Sequence, residues 1–389
     1  MMLPEYFEFY NPVKLLCGQT ALENIPYEMG RLGCKKPFLL ISRTMLDGGI
    51  LEMMGGRYQA LIGTDIPKDS SFAVVEGLAR QAREEGCDGI LAIGGGSVLD
   101  TAKAVRVLLS QGCTSMKELL GSEWMSKGSS FPFLMVPTTA GTGSECTGVS
   151  VVQDDRTKVK QELISDQFLP DVAVLDPRAT EKLPPRLTAS SGMDALTHAI
   201  EAYTGLQKNP ISSVYAFSSV QMIGKHLIAA VREPKNSEHR LAMACASTMA
   251  GIAFSNSMVG LVHAISHSLG TVGAIPHGEA VGIMLPKVMR WQMDAAGEGY
   301  GELLAAFCGL EYAAEIPYYH RGEKLVEVIE DTLMHLHQKC GIPYSLKDAG
   351  ISRKELRQIA QLSIDDGALL ANPKPAEKSD VVKILEMAL

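Results

Sequence analysis

The chain has 389 residues, which at roughly 150 residues per domain gives room for two or three domains and a large buried core. Its 46% hydrophobic and 21% charged content excludes an intrinsically disordered chain. A net charge of −8 without a basic tract argues against nucleic acid or an anionic membrane as a partner.

The opening MMLPEYFEFYNPVK carries two glutamates and lacks the basic-then-apolar order of a secretory signal. Apolar stretches are broken by charge or glycine before about 18 residues, so no membrane span is expected. The cysteines at 17, 34, 87, 113, 146, 245, 308 and 340 form no C-x-x-C pair, as in a reduced, cytoplasmic protein. Short β-rich runs at 38–42, 59–62, 89–93, 133–136 and 172–175 are interleaved with helical apolar spacing at 72–86 and 98–109. That alternation predicts an α/β domain with a mostly parallel sheet. In VSVVQDDRTKVKQELI, two β-prone runs flank a polar turn, which predicts a hairpin. The proline-punctuated DPRATEKLPPRLT reads as a linker. Beyond it, helical patterns fill 188–204, 210–232, 238–255, 278–294, 323–340, 353–363 and 378–388. The expectation is an N-terminal α/β domain over 1–178 followed by an all-α C-terminal domain over 186–389.

Two turns stand out. Gly94-Gly95-Gly96-Ser97 follows a β run and opens a helix that carries Asp100. Glycines permit close backbone approach, and a helix start offers unpaired N–H groups to a phosphate. The pattern is not the full G-x-G-x-x-G, since Leu99 replaces the third glycine, and a tight turn with serine as N-cap is the plainer alternative. The next strand leads into Pro137-Thr138-Thr139-Ala140-Gly141-Thr142-Gly143-Ser144, whose hydroxyls suit a ribose or amide but would also suit an ordinary polar loop. Both turns would lie at the carboxyl edge of one parallel sheet, where ligands of such folds bind.

Asp194 and His198 are four apart in a strong helical pattern, and His263 and His267 repeat the spacing. Side chains so spaced share one helix face. His277 follows just before another helix. Carboxylate and imidazole together suit Fe²⁺ or Zn²⁺, although a lone histidine on an apolar helix is more often a hydrogen-bonded core residue. His226, His239, His320, His335 and His337 sit in more polar contexts and are expected at the surface.

These segments resemble the iron-containing (group III) alcohol dehydrogenases of the dehydroquinate synthase-like superfamily. The likeness runs from FYNPVKLLCGQTAL through GGGSVLDTAKA, PTTAGTGSE, LPDVAVLDP, GMDALTHAIEAY, GLVHAISHSLG and PHGEAVGIMLP to ANPKPAEKSDVVKILEMAL. The resemblance implies a dinucleotide-binding N-terminal domain, a helical metal-binding domain and an active site in the cleft between them. It implies metal ligands at Asp194, His198, His263 and His277, and a further active-site histidine at His267, to relay a proton or to order the nicotinamide ribose. It implies a pyrophosphate turn at Gly94, Gly95, Gly96 and Ser97, with Asp100 near the nicotinamide. Thr138, Thr139, Thr142, Thr147 and Lys160 match the remaining cofactor contacts.

Many NAD-specific members carry an aspartate at the end of the strand before the adenosine ribose; here Arg43 takes its place. Arginine could pair with a 2′-phosphate that an acid would repel, so NADP(H) is favoured over NAD(H). The expected reaction is reversible hydride transfer between NAD(P)(H) and a small alcohol or aldehyde, with Val149 and Phe254 as apolar walls, in a homo-oligomer. The alternatives are a glycerol-dehydrogenase-like polyol oxidoreductase or metal-dependent cyclase of the same superfamily, and a non-catalytic nucleotide-binding protein.

Overall fold

A computed structural model describes residues 4–55, 60–68, 70–121, 125–157 and 159–389. The chain forms two compact units. One comprises Asn11–Thr139 and Gly143–Lys182; the other comprises the N-terminal stretch to Tyr10, Ala140–Thr142 and Leu183–Leu389.

The first unit runs β1 (Lys14–Cys17), α1 (Ile25–Arg31), β2 (Pro37–Ile41), α2 (Arg43–Asp47), α3 (Ile50–Met53), β3 (Leu61–Gly63), α4 (Phe72–Glu84), β4 (Gly89–Gly94), α5 (Gly96–Gln111), β5 (Phe133–Pro137), β6 (Val149–Gln153), β7 (Lys160–Ile164), β8 (Val172–Leu175) and α6 (Pro177–Thr180). Six strands form one sheet in the order β1-β8-β5-β4-β2-β3, with every neighbouring pair parallel. Alternate residues of the central strands enter two separate cores. Phe38, Leu40, Ile90, Ala92, Phe133 and Met135 face one. Leu39, Ile41, Leu91, Ile93, Leu134 and Val136 face the other. A strand buried on both faces reads as an unbroken apolar run, which is why FLLI and GILAI are visible in the sequence.

The expected strand at 59–62 is present from Leu61 to Gly63; Gln59 lies outside the described residues. β1 escapes the sequence reading because it is a four-residue, largely exposed edge strand with no alternation. The expected hairpin forms from β6 and β7. β2 and β4 are adjacent, and from them the sheet is built outward in opposite directions, so their carboxyl ends mark a topological switch point.

The second unit contains α7 (Pro185–Thr204), α8 (Pro210–Arg232), α9 (Ser237–Ser255), α10 (Leu261–Gly273), α11 (His277–Trp291), α12 (Met293–Cys308), α13 (Leu310–Glu315), α14 (Arg321–Cys340), α15 (Leu356–Ile364) and α16 (Lys378–Met387) around one core. The segment expected to be a linker is partly helical. Pro177 and Pro185 occupy the first helical positions of α6 and α7, where a missing N–H costs nothing, and Pro184 is the N-cap of α7. Of the helices of this unit, α10, α12 and the short α13 are absent from the expected ranges, although the spacing of His263 and His267 already points to one helix face within α10. In α12 the glycines of AAGEGYGE weaken the helical pattern, yet Gly301 permits close packing, since a Cβ there would stand 3.3 Å from Arg321 Cβ at the start of α14. α8 is an exception to the expected interruption of apolar stretches, being long and apolar enough to cross a membrane by length and composition. Its Ala216, Val220, Ile223 and Leu227 are buried in the core, against α7 and α9.

Candidate active site

Three helices of the second unit bring the flagged aspartate and histidines together. α7 presents Asp194 and His198 one turn apart, α10 presents His263 and His267, and His277 is the first residue of α11. Asp194 Oδ1 lies 3.4 Å from His277 Nε2, 3.8 Å from His263 Nε2 and 3.9 Å from His198 Nδ1. Donor atoms of Asp194, His263 and His277 all fall within 4.8 Å of one another. The His198 ring is stacked between Phe254 and His263, at centroid distances of 4.3 and 4.4 Å. The His277 side chain is 39% exposed, whereas Asp194, His198 and His263 are buried.

Asp194 Oδ1, His198 Nδ1 and His263 Nε2 are buried and have no hydrogen-bond partner. A buried polar atom without a partner costs about 1–3 kcal/mol, and three directed at one region need a common explanation. Ligand bonds of about 2.1 Å at a tetrahedral angle place donors about 3.4 Å apart, so the spacings around Asp194 Oδ1 suit a shared first-row dication. Burial alone would raise the Asp194 pKa, but His198, His277 and His263 outweigh it and hold the carboxyl well below its ordinary range. Burial pushes His198 down to about 3, against the pull of Asp194, leaving it neutral with a lone pair to offer. Burial also disfavours charge on His263, yet the Glu201 and Asp194 carboxylates on either side hold its pKa up at about 9.

Two supporting carboxylates are missing from the sequence reading. Glu201 Oε2 lies 2.6 Å from His263 Nδ1, and Asp366 Oδ2 lies 2.9 Å from His267 Nδ1. Such a contact fixes the tautomer and aims the other ring nitrogen. Glu201 stands three residues beyond His198 on the same helix, a spacing that hints at the site. Nothing about Asp366 in SIDDGALL separates it from a solvated acid. The surface assignment of His226 is corrected: it is buried, and its Nδ1 lies 2.9 Å from His239 Nδ1, because α8 and α9 pack closely there. His335 and His337 are half-buried rather than exposed, whereas His320 is exposed.

In the first unit the glycine turn joins β4 to α5. A Cβ on Gly94 would stand 2.4 Å from Val98 Cβ, so the backbone reaches this position only without a side chain. Gly95 is the N-cap of the 16-residue α5, and no side chain caps that helix. Ser97 is therefore not the cap; its hydroxyl donates to the Lys68 carbonyl. An uncapped helix start behind glycines is suited to an anion. Asp100 Oδ1 accepts from Ser144 Oγ at 2.7 Å, and Thr147 Oγ1 accepts from Lys103 Nζ at 2.9 Å. Thr138 and Thr139 leave β5 beside this turn, the Thr138 N–H donating to the Gly94 carbonyl. Lys160 opens β7 and is exposed. Thr142 belongs to the short stretch grouped with the helical unit. Arg43 opens α2 at the end of β2, 63% exposed, and donates to Thr64 Oγ1 at 2.8 Å.

The model of the iron-containing alcohol dehydrogenases matches residues 12–177, and that of the C-terminal part of the Fe-containing alcohol dehydrogenase family matches 188–389. The chain belongs to the iron-containing alcohol dehydrogenase family. It is 31% identical to an NAD-dependent methanol dehydrogenase of Bacillus methanolicus, over 98% of this chain and 99% of the relative. It is 32% identical to an NADPH-dependent butanol dehydrogenase of Clostridium saccharobutylicum, over 97% of each. A solved 1,3-propanediol oxidoreductase aligns with a TM-score of 0.92 at 28% identity, covering 99% of this chain and 100% of that one.

Proposed function

We propose that this protein is a metal-dependent alcohol dehydrogenase that moves a hydride reversibly between a nicotinamide dinucleotide and a small alcohol or aldehyde. The observation that carries the reading is the set of buried, unpartnered donor atoms of Asp194, His198 and His263, with His277 beside them. These four residues would hold a divalent ion, Fe²⁺ by family and Zn²⁺ as the alternative. When bound, that ion supplies Lewis acidity at the reacting oxygen. In the first unit, Gly94, Gly95, Gly96 and Ser97 would receive the pyrophosphate, with Asp100, Thr138, Thr139, Thr142, Thr147 and Lys160 completing the cofactor contacts. A small alcohol or aldehyde as partner fits this reading. The homo-oligomer is inferred from the resemblance, and the cytoplasmic setting from cysteines spread through the chain without a C-x-x-C pair. Anaerobic reconstitution with Fe²⁺, followed by an aldehyde and alcohol panel with both nucleotides, tests the reading; an absence of nicotinamide turnover across the panel would refute it.

His267 is assigned the proton. Its Nδ1 is held by Asp366, so Nε2 is the nitrogen that exchanges a proton. His267→Ala should retain the metal while kcat falls about a hundredfold or more, within the usual range for a general acid–base group. Unchanged turnover with intact metal would remove this role. A raised cofactor KM with kcat intact would reassign His267 to ordering the ribose.

Arg43 is assigned the 2′-phosphate. It sits at the β2/β4 switch point with a mobile-length, exposed guanidinium. Asp65, 3.9 Å away and fully solvated, is too screened to oppose an incoming phosphate strongly. Wild-type kcat/KM should be higher with NADPH than with NADH. Arg43→Ala should lower the NADPH value roughly tenfold to a hundredfold, the loss of one charge-assisted contact, and leave the NADH value nearly unchanged. A strong NADH preference that survives Arg43→Ala would end the idea.

A further inference from the structure

The closing motif ANPKPAEK lies far along the chain from Asp194, His198, His263, His267 and His277, and the reading above assigns it nothing. The structure brings its Asn372 to the start of α10, the helix that carries His263 and His267. Four consecutive residues there present donors. The Gly260 N–H donates to Glu201 Oε2 at 2.9 Å, the Leu261 N–H to Asn372 Oδ1 at 2.9 Å, and the Val262 N–H to Glu201 Oε1 at 2.7 Å. The fourth is the His263 ring, whose Nδ1 meets Glu201 Oε2 at 2.6 Å. Glu201 is 4% exposed and Asn372 3%.

We propose that Glu201 and Asn372 are positioning residues of the metal centre: together they clamp the start of α10 so that His263 Nε2 is delivered to Asp194. This inference rests on the metal reading given above. A helix start leaves its first N–H groups without intrahelical partners. Gly260, the N-cap, has no side chain to satisfy them, and a Cβ there would stand 2.7 Å from Asn372 Oδ1 and 3.1 Å from Glu201 Oε1. The glycine makes room for the two external acceptors. One carboxylate thus fixes both the backbone that carries His263 and the tautomer of its ring. Asn372 is itself held: its Nδ2 donates to Gln292 Oε1 at 3.1 Å and to the Lys374 carbonyl at 2.7 Å, and Gln292 donates on to Tyr300. The clamp therefore ties a histidine of the site to α7, to the α11–α12 junction and to the C-terminal motif.

The test measures Zn²⁺ affinity of the full chain by competition with a chelator, above pH 9 so that His263 needs no deprotonation. Thermal midpoints of the stripped proteins are measured alongside. Glu201→Gln should weaken Zn²⁺ binding about 10- to 100-fold, the usual cost of losing the group behind a ligand histidine. Asn372→Ala should weaken it in the same direction by less, and Asn372→Ser, which keeps an uncharged hydroxyl able to accept and to donate, should recover part of the loss. A purely structural cap would lower the thermal midpoint of the stripped protein and leave the Zn²⁺ affinity at the wild-type value, which overturns the proposal. Should Glu201→Gln fail to fold, the two Asn372 variants decide. Failure of the metal reading looks different: wild type would take up no Zn²⁺, or Asp194→Ala would bind it as tightly as wild type.

Discussion

Asp194→Ala should empty the metal centre and abolish turnover together. Among the gathered donors Asp194 supplies the one carboxylate, and its Oδ1 is the atom to which all three imidazoles are referenced, at 3.4 to 3.9 Å. Without it, three neutral imidazoles would have to hold a dication in a buried setting with no anion in direct contact. Isolated buried charge is strongly disfavoured, so the ion rather than the fold should leave. Metal should fall from one ion per chain to near zero. Aldehyde reduction should fall at least about a thousandfold, equivalent to about 4 kcal/mol at 1.36 kcal/mol per decade. Nucleotide binding should survive, because the glycine turn lies in the other compact unit. Metal analysis, a reduction assay and a nucleotide titration on one preparation check all three expectations. A variant that kept both metal and turnover would show that the ion sits elsewhere.

The second large effect is on pH dependence. In the metal-free protein His263 has a pKa of about 9, against about 6.5 for an unperturbed imidazole. A group raised on folding contributes stability that is fully present below the unfolded value and is lost as pH rises through the folded one. The metal-free protein should therefore lose on the order of 3 kcal/mol between about pH 6.5 and 9 from this group. His198, pushed down to about 3, acts oppositely: the unfolded chain takes up its proton more readily, so stability falls as pH drops below about 6.5. Asp194, held low, adds stability at neutral pH that disappears in strong acid. Stability of the stripped protein should consequently peak near mildly acidic to neutral pH. With the metal bound, His263 carries no proton at Nε2 and the alkaline loss should vanish. By the same linkage the apparent metal affinity should climb by up to about tenfold per pH unit below pH 9, as one proton is displaced, and then level off. Thermal midpoints of stripped and loaded protein from pH 6 to 10 read this directly. Parallel curves would mean that His263 does not exchange its proton for the ion.

The sequence signals worked where one physical cause dominates a short stretch. FLLI and GILAI are visible because a parallel strand covered on both faces must be apolar throughout. Asp194 with His198 and His263 with His267 are visible because four-residue spacing puts two side chains on one helix face. Where the cause is tertiary, the local signal fails. α12 carries Gly297, Gly299 and Gly301, which weaken the helical pattern until α14 is seen pressed against it. Pro177 and Pro185 punctuate an apparent linker, yet each opens a helix. His226 looks solvated in GKHLI, and only its helix neighbour His239 explains its burial. Asp366 and Asn372 carry no signal of their own and Glu201 only its spacing from His198, because each meets its histidine or helix start across 59 to 111 residues of chain. That separation is what folding supplies and local spacing cannot.

The most direct test of the whole reading is to titrate Fe²⁺ or Zn²⁺ anaerobically into the stripped protein while following nicotinamide-dependent reduction of a small aldehyde. Turnover should rise from near zero in proportion to the metal added and stop rising at one ion per chain, and Asp194→Ala should show no rise at all. Full turnover before any metal is added, or a rise that ignores the Asp194 substitution, would contradict it.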